Sequence, residues 1–225
     1  MIILAIVIVL GVILLPQALV RMAISRHGVE RPDLQGTGGE LARHLLDRFG
    51  LETVAVETTE SGDHYDPESR TVRLLPAHHD GRSIAAVAIA AHEVGHAIQH
   101  GRSERMLALR QRLATVATFT DKAAGVFFVA APVLGALART PLAFAALVAV
   151  GIALLSVRVI FTLVTLPVEI DASYGKALPI LRDGGYLQED DMPAAKSVLR
   201  AAAFTYLAAA LITLVNLARW IRLLR

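Results

Sequence analysis

The chain has 225 residues, 55% of them apolar, and its mean hydropathy of +0.55 is high for a soluble globular protein. It contains no cysteine, which excludes disulfide bonds and thiolate ligands, so a bound metal would need His, Asp or Glu. The formal net charge is +2, and Lys and Arg are nowhere clustered among aromatic residues, so we expect no nucleic-acid partner.

The N-terminal segment is predicted to form a transmembrane helix over residues 1–24. Its first 20 residues are uncharged, and an apolar run of about 20 residues can cross a bilayer. A signal peptide is the alternative, but it would need basic residues before the apolar run and a small-residue cleavage site after it. Arg21 and Arg26 follow the run instead.

Residues 25–122 are predicted to form a catalytic region that contains both helices and strands. A capping box at Thr37 predicts a short helix over residues 40–49. Residues 53–57 and 71–75 alternate apolar and polar side chains around intervening turn signals, which predicts an antiparallel β-hairpin.

Two transmembrane helices are predicted within residues 123–166, and a fourth within residues 201–225. Residues 167–200 are polar and are expected on the same side of the membrane as residues 25–122. Most Lys and Arg residues near the span ends fall on that side, so the positive-inside rule places it in the cytoplasm. Arg158, inside the third span, is expected to face protein or to reach the interface. The predicted fold is mainly α, with four transmembrane helices and a small cytoplasmic α+β, zincin-like catalytic insertion.

The strongest signal for chemistry is the sequence HEVGH at residues 92–96, an HEXXH pattern on a helix predicted to begin after the N-cap Ser83. Positions i and i+4 share a helix face, so His92 and His96 can bind one metal ion, and imidazole ligands suit zinc. Glu93 lies about 100° round the helix, where it can act as the general base for peptide hydrolysis. A chance match is the alternative in a chain with eight histidines.

A catalytic zinc site needs a third protein ligand. Glu169 stands out, because it directly follows a predicted span, where a carboxylate costs free energy unless it has a partner such as a metal ion. The alternative for Glu169 is an acid favoured at a helix N-terminus. The other candidates on the same side are His64, His78, His79, His100 and Asp171.

Residues 63–67 have two interpretations. His64 or Tyr65 can stabilise the oxyanion that forms when water attacks a peptide carbonyl. The favoured alternative is a simple turn, which the Asp-Pro step fits and in which Tyr65 only packs. The His-His-Asp sequence at residues 78–80 is expected to be a solvated loop, and His100 is expected to interact with the last carbonyls of its helix.

Three motifs in this order resemble the bacterial YugP-like membrane zinc metallopeptidases: DHYDP at residues 63–67, SIAAVAIAAHEVGHAIQ at residues 83–99 and LPVEIDAS at residues 166–173. The resemblance extends over nearly the whole chain and implies a neutral zinc metallopeptidase of the bacterial inner membrane. The family is distantly similar to the HtpX and CAAX-prenyl-protease membrane enzymes, whose third zinc ligand is a Glu on a later helix. That position corresponds to Glu169, whereas Ser173 stands where those relatives carry Asp.

Together these inferences predict a multi-pass membrane enzyme that hydrolyses peptide bonds with zinc-activated water. One zinc per chain would be bound by His92, His96 and Glu169, with Glu93 as the base. The partners would be the lipid bilayer and an unfolded or membrane-associated protein or peptide substrate. Two other functions stay open: a scaffold whose structural zinc has a closed fourth position, and a metal transporter, which would need ionisable residues in several spans.

Overall fold

The computed structural model describes residues 18–137 and 140–201, apart from the side chain of Pro132. Most of the predicted first transmembrane helix, and all of the predicted fourth except residue 201, lie outside these residues. The described chain is mainly helical, as predicted, with a small three-stranded sheet.

The helices and strands follow one another in a simple order. The helices are α1 (18–27), α2 (Gly38–Arg48), α3 (Pro76–His79), α4 (Ile84–Gly101), α5 (Arg105–Leu137), α6 (Pro141–Ile170), α7 (Leu178–Asp183) and α8 (192–201). The strands are β1 (Ala55–Thr58), β2 (His64–Asp66) and β3 (Thr71–Leu74). A π-helical segment, Asp171–Ala177, joins α6 to α7 without a break, and a single 3-10 turn, Glu189–Asp191, precedes α8.

Strand β3 is central in the sheet, between β1 and β2. It pairs in parallel with β1, with Ala55 opposite Thr71, and antiparallel with β2, with Asp66 opposite Thr71. The predicted antiparallel pairing of residues 53–57 with residues 71–75 is therefore wrong. Alternating apolar and polar residues identify a strand and its buried face, but they do not identify the neighbouring strand.

The favoured interpretation of residues 63–67 as a turn is correct only for the Asp-Pro step, because residues 64–66 form β2 and the turn begins at Pro67. The Asp66 carboxylate stabilises this turn by accepting hydrogen bonds from the backbone N–H of Glu68 at 2.9 Å and from the hydroxyl of Ser69 at 2.7 Å. Arg70 then adopts a left-handed φ of 51°. The chain thus passes from β1 to the far edge of the sheet and returns through its centre.

Both predicted helix starts are confirmed. The Thr37 hydroxyl accepts from the backbone N–H of Glu40 at 3.2 Å, and the Glu40 carboxylate accepts from the backbone N–H of Thr37 at 2.8 Å. Gly50 follows α2 with a φ of 71°, as a helix stop requires. The Ser83 hydroxyl accepts from the backbone N–H of Ala86 at 3.1 Å and so caps α4.

Helix α4 is the centre of the described fold. Residues 84–99 are all buried, and α2, the sheet, the π-helical segment and α7 pack around them. Gly95 permits one close approach, since a Cβ at this position would lie 2.9 Å from the carbonyl oxygen of Ala172. The helix that carries the HEXXH pattern is therefore in backbone contact with the segment that follows Glu169.

Helices α5 and α6 pack against each other and provide two apolar stretches long enough to cross a membrane, Arg105–Ala131 and Pro141–Asp183. They overlap the second and third predicted spans, but the first stretch begins well before residue 123 and the second extends beyond residue 166. Arg158 forms an ion pair with Asp121 at 2.9 Å, and its guanidinium lies 5.7 Å from the ring centre of Phe161. This ion pair connects the two helices.

The polar segment predicted to begin at Pro167 does not interrupt the helix. Helix α6 continues through Pro167 to Ile170 and then widens into the π-helical segment. A proline inside a helix removes one backbone hydrogen bond, but Pro167 does not end α6. Glu169 therefore lies on a continuous helix. Its side chain and that of Val168 are buried.

Candidate metal centre

Helix α4 carries His92 and His96 on one face, one turn apart. Their Nε2 atoms lie 3.3 Å and 3.4 Å from the same atom, Oε2 of Glu169. One donor atom from each of these residues lies within 4.8 Å of the other two, and His92, His96 and Glu169 are exposed by only 8%, 6% and 2%. These three residues, called here the His/His/Glu group, could hold one metal ion.

The chemistry of the donors suits zinc. Two imidazole nitrogens and a carboxylate oxygen are common zinc ligands, and a catalytic zinc site leaves its fourth position to water or substrate. The other oxygen of Glu169, Oε1, is buried without a hydrogen bond among the described residues, and Nη2 of Arg110 lies 3.5 Å from it. Burying a carboxylate that lacks hydrogen-bond partners costs free energy, and a cation bound to Glu169 would offset this cost.

Both histidines are oriented through their second ring nitrogen. Nδ1 of His96 lies 2.9 Å from Oε1 of Gln99, and Nδ1 of His92 lies 3.0 Å from Oγ of Ser173. Contacts at Nδ1 fix the imidazole plane and leave Nε2 for a metal. Ser173 therefore contacts the imidazole of His92 directly.

Glu93 adjoins the His/His/Glu group and is buried on α4. Burial raises the pKa of its carboxyl to about 7, and the nearby charges of Glu169 and Asp63 act in the same direction, while His92 and the backbone N–H of Tyr65 oppose them. A carboxyl that titrates near neutrality can both accept and release a proton. The arrangement therefore places a proton-transfer group next to three potential metal ligands.

The two residues predicted to stabilise a transition state lie on β2, outside the His/His/Glu group. Nδ1 of His64 donates to the carbonyl oxygen of Gly62 at 2.8 Å. The Tyr65 hydroxyl lies 2.8 Å from Nδ1 of His100, and burial raises the pKa of Tyr65. His100 was expected to interact with the last carbonyls of α4, but its side chain bonds Tyr65.

His78 is not in a solvated loop, contrary to the prediction for residues 78–80. It lies in α3 and is buried, with Nδ1 at 2.8 Å from Oδ2 of Asp63, while Oδ1 of Asp63 accepts from the backbone N–H of Leu75. Helix α3 packs against α2 and α4, and this long-range contact has no signature in the local sequence. His78 therefore holds Asp63, the residue directly before β2, in place.

Two residues beside the His/His/Glu group were not predicted from the sequence. Gln99 follows His96 by three residues, and helical spacing alone places both on one face, so a signal was present. Arg110 reaches Glu169 from α5, and no spacing in the sequence connects these two residues.

A buried pair of histidines and a glutamate, with a second buried glutamate beside them, define a protein with a candidate transition-metal centre. A family model described as "Putative neutral zinc metallopeptidase" matches residues 1–225, and the chain belongs to this family. The chain is 42% identical, over 187 residues, to a Bacillus subtilis (strain 168) protein described as "Putative membrane protease YugP"; the match covers 82% of this chain and 79% of the relative. No solved structure shows a significant match. The family resemblance inferred from the three sequence motifs is therefore confirmed.

Proposed function

We propose that this chain is a membrane-bound zinc endopeptidase whose zinc is bound by His92, His96 and Glu169. The observation that most supports the proposal is the convergence of three buried donor atoms from two separate helices, beside the buried carboxyl of Glu93. The family description names a zinc metallopeptidase, and the relative from B. subtilis is described as a membrane protease.

In the proposed reaction, zinc and the residues around it have different roles. Zinc, when bound, supplies a Lewis acid that polarises the scissile carbonyl and makes water more acidic. Glu93 accepts a proton from the attacking water and transfers it to the departing amine. Tyr65 and His64 are proposed as candidates for stabilising the oxyanion, because the backbone N–H of Tyr65 brings β2 close to Glu93.

The proposed location is the bacterial inner membrane, with the site on the cytoplasmic side. Helix α5 begins after a short connection from α4, and Glu169 lies near the end of α6, so the His/His/Glu group is at one end of the pair formed by these two helices. A site in this position suits unfolded or membrane-associated proteins, which we propose as substrates.

The purified chain is expected to carry about one zinc ion per molecule, as a site with three protein ligands requires. Elemental analysis after gentle purification measures this content. Removal of zinc with a chelator should abolish cleavage of an unfolded model substrate, and added zinc should restore it. A chain that contains no zinc, and takes up none on reconstitution, would contradict the proposal.

Topology reporters provide a separate test of the location. Fusions after His64 and after Leu187 are expected to report the cytoplasm, and a fusion after Arg139 the outer side, because Lys and Arg near the span ends favour this orientation. Opposite locations for His64 and Leu187 would separate the two chain segments that supply the His/His/Glu group, and the proposed site would be untenable.

A further inference from the structure

We infer that Gln99 is a positioning residue that holds both the imidazole of His96 and the chain around Glu169. It thereby keeps Nε2 of His96 and Oε2 of Glu169 close enough to bind the same metal ion. The inference rests on the proposed function, since it takes His96 and Glu169 as zinc ligands. It assigns a role to a side chain that contacts His96 through Nδ1, away from the metal-binding Nε2.

The orientation of the Gln99 amide follows from its partners. Its nitrogen, Nε2, lies 3.0 Å from the carbonyl oxygen of Val168 and 2.7 Å from Oδ2 of Asp171. Both partners are acceptors, so Nε2 donates its two hydrogens to them and Oε1 must face His96. Gln99 is only 1% exposed, so its amide depends on protein partners for its hydrogen bonds.

This orientation determines the tautomer of His96. The amide oxygen of Gln99 only accepts hydrogen bonds, so Nδ1 of His96, 2.9 Å away, must carry the proton. Nε2 then keeps its lone pair, and it faces Oε2 of Glu169 at 3.4 Å. Gln99 thus prepares His96 for metal binding before a metal arrives.

Gln99 also holds the chain on both sides of Glu169. Val168 precedes Glu169 directly, and Asp171 follows it by two residues at the start of the π-helical segment. Two hydrogen bonds from one amide to these flanking positions restrict rotation of α6 about its axis. Oε2 of Glu169 is consequently kept at the level of the two histidines.

The far side of Asp171 is held by a buried lysine. Lys176 is buried and forms ion pairs with Asp171 and, at 3.0 Å, with Glu104. A buried lysine is stable only when it is paired. Since Glu104 lies in the short connection between α4 and α5, this network leads from Gln99 on α4 through the π-helical segment and back to the chain just after α4.

The test compares zinc affinity in detergent for the parent chain, Gln99→Met and a matched control, Thr162→Val. Methionine keeps the length of the side chain and removes its hydrogen bonds. Thr162 is also buried, but its hydroxyl donates to the carbonyl of Arg158 in its own helix, away from the His/His/Glu group. We expect Gln99→Met to bind zinc about 10- to 100-fold more weakly, as when a partner of a metal ligand is lost. The control should bind zinc like the parent.

A second measurement uses the parent chain without metal, so it does not depend on the folding of a variant at Gln99. NMR of isotope-labelled imidazole nitrogens in the metal-free chain should show His96 protonated on Nδ1 and not on Nε2. The variant His96→Gln identifies the signal. If Gln99 had a purely structural role, Gln99→Met would lower thermal stability, but Gln99 would not select this tautomer of His96 in the parent chain.

Two results would overturn the role of Gln99: zinc affinity of Gln99→Met equal to that of the parent, or His96 protonated on Nε2 in the metal-free chain. Failure of the proposed function gives a different result, because the parent itself would then bind no zinc. If the parent binds zinc and Gln99→Met binds it equally well, only the inference about Gln99 is wrong, and the proposed function is unaffected.

Discussion

Glu93→Gln is expected to lower the rate of peptide hydrolysis by about 10²- to 10⁴-fold, the contribution typical of a general base, while zinc stays bound. The amide has nearly the shape of the carboxyl and can occupy the same buried position on α4, but it cannot accept a proton from water. Because Glu93 is not part of the His/His/Glu group, zinc content should match that of the parent. Cleavage of an unfolded fluorescent substrate and elemental analysis measure the two quantities.

A matched control makes the same chemical change at an exposed position. Glu57 on β1 pairs with Arg73 at 3.3 Å on the surface, and such a pair contributes at most about 1 kcal/mol to stability. Glu57→Gln should therefore hydrolyse the substrate at the parental rate. If Glu93→Gln also does so, the base is another residue, and if Glu93→Gln loses its zinc, Glu93 contributes to metal binding.

Glu169→Gln is expected to weaken zinc binding more than any change beyond the ligands, and to abolish hydrolysis with it. The substitution replaces a charged oxygen donor with a weak neutral one at the atom that faces both Nε2 nitrogens, 3.3 Å and 3.4 Å away. Removal of a residue that only supports a metal ligand lowers metal affinity by roughly 10- to 100-fold. The loss in zinc affinity for Glu169→Gln should be larger than this. Competition with a chromophoric chelator measures the affinity.

Asp171→Asn is the comparison for this experiment, because Asp171 is the nearest alternative carboxylate. Its side chain accepts from Gln99 and pairs with Lys176, so the substitution should affect zinc only through Gln99 and have the smaller effect. Thermal unfolding of both variants without metal shows whether either is misfolded. Parental zinc affinity in Glu169→Gln, together with loss of zinc in Asp171→Asn, would transfer the ligand role to Asp171.

Much of the candidate site could be predicted from the sequence because its main part is local. His92 and His96 share a face of α4 through helical spacing alone, and the cap at Ser83 depends on a hydrogen bond to Ala86, three residues away. The absence of cysteine limited the third ligand to His or a carboxylate. The position of Glu169 after a long apolar run then distinguished it from the other candidates.

The arrangement of the strands was decided by tertiary structure. The alternating pattern identified residues near β1 and β3 as strands, but only the packing of β1 on α2 and α3, and of β3 on α3 and α4, made them parallel neighbours, with β2 on the other side of β3. His78 appeared solvated in the sequence because its partner, Asp63, precedes it by fifteen residues. Side-chain pairs of this kind depend on how whole elements pack, and no local period encodes them.

The sequence by itself determined the chemical groups of the site: two histidines and a base on one helix, and a glutamate on a later one. Only the tertiary structure decided how these groups are held. Gln99 bonds the chain on both sides of Glu169, Ser173 reaches His92 and Arg110 approaches Oε1 of Glu169. The physical reason is that spacing along a helix is set by backbone hydrogen bonds within a few residues. Contacts between helices are instead chosen by the burial and hydrogen bonding of the whole fold.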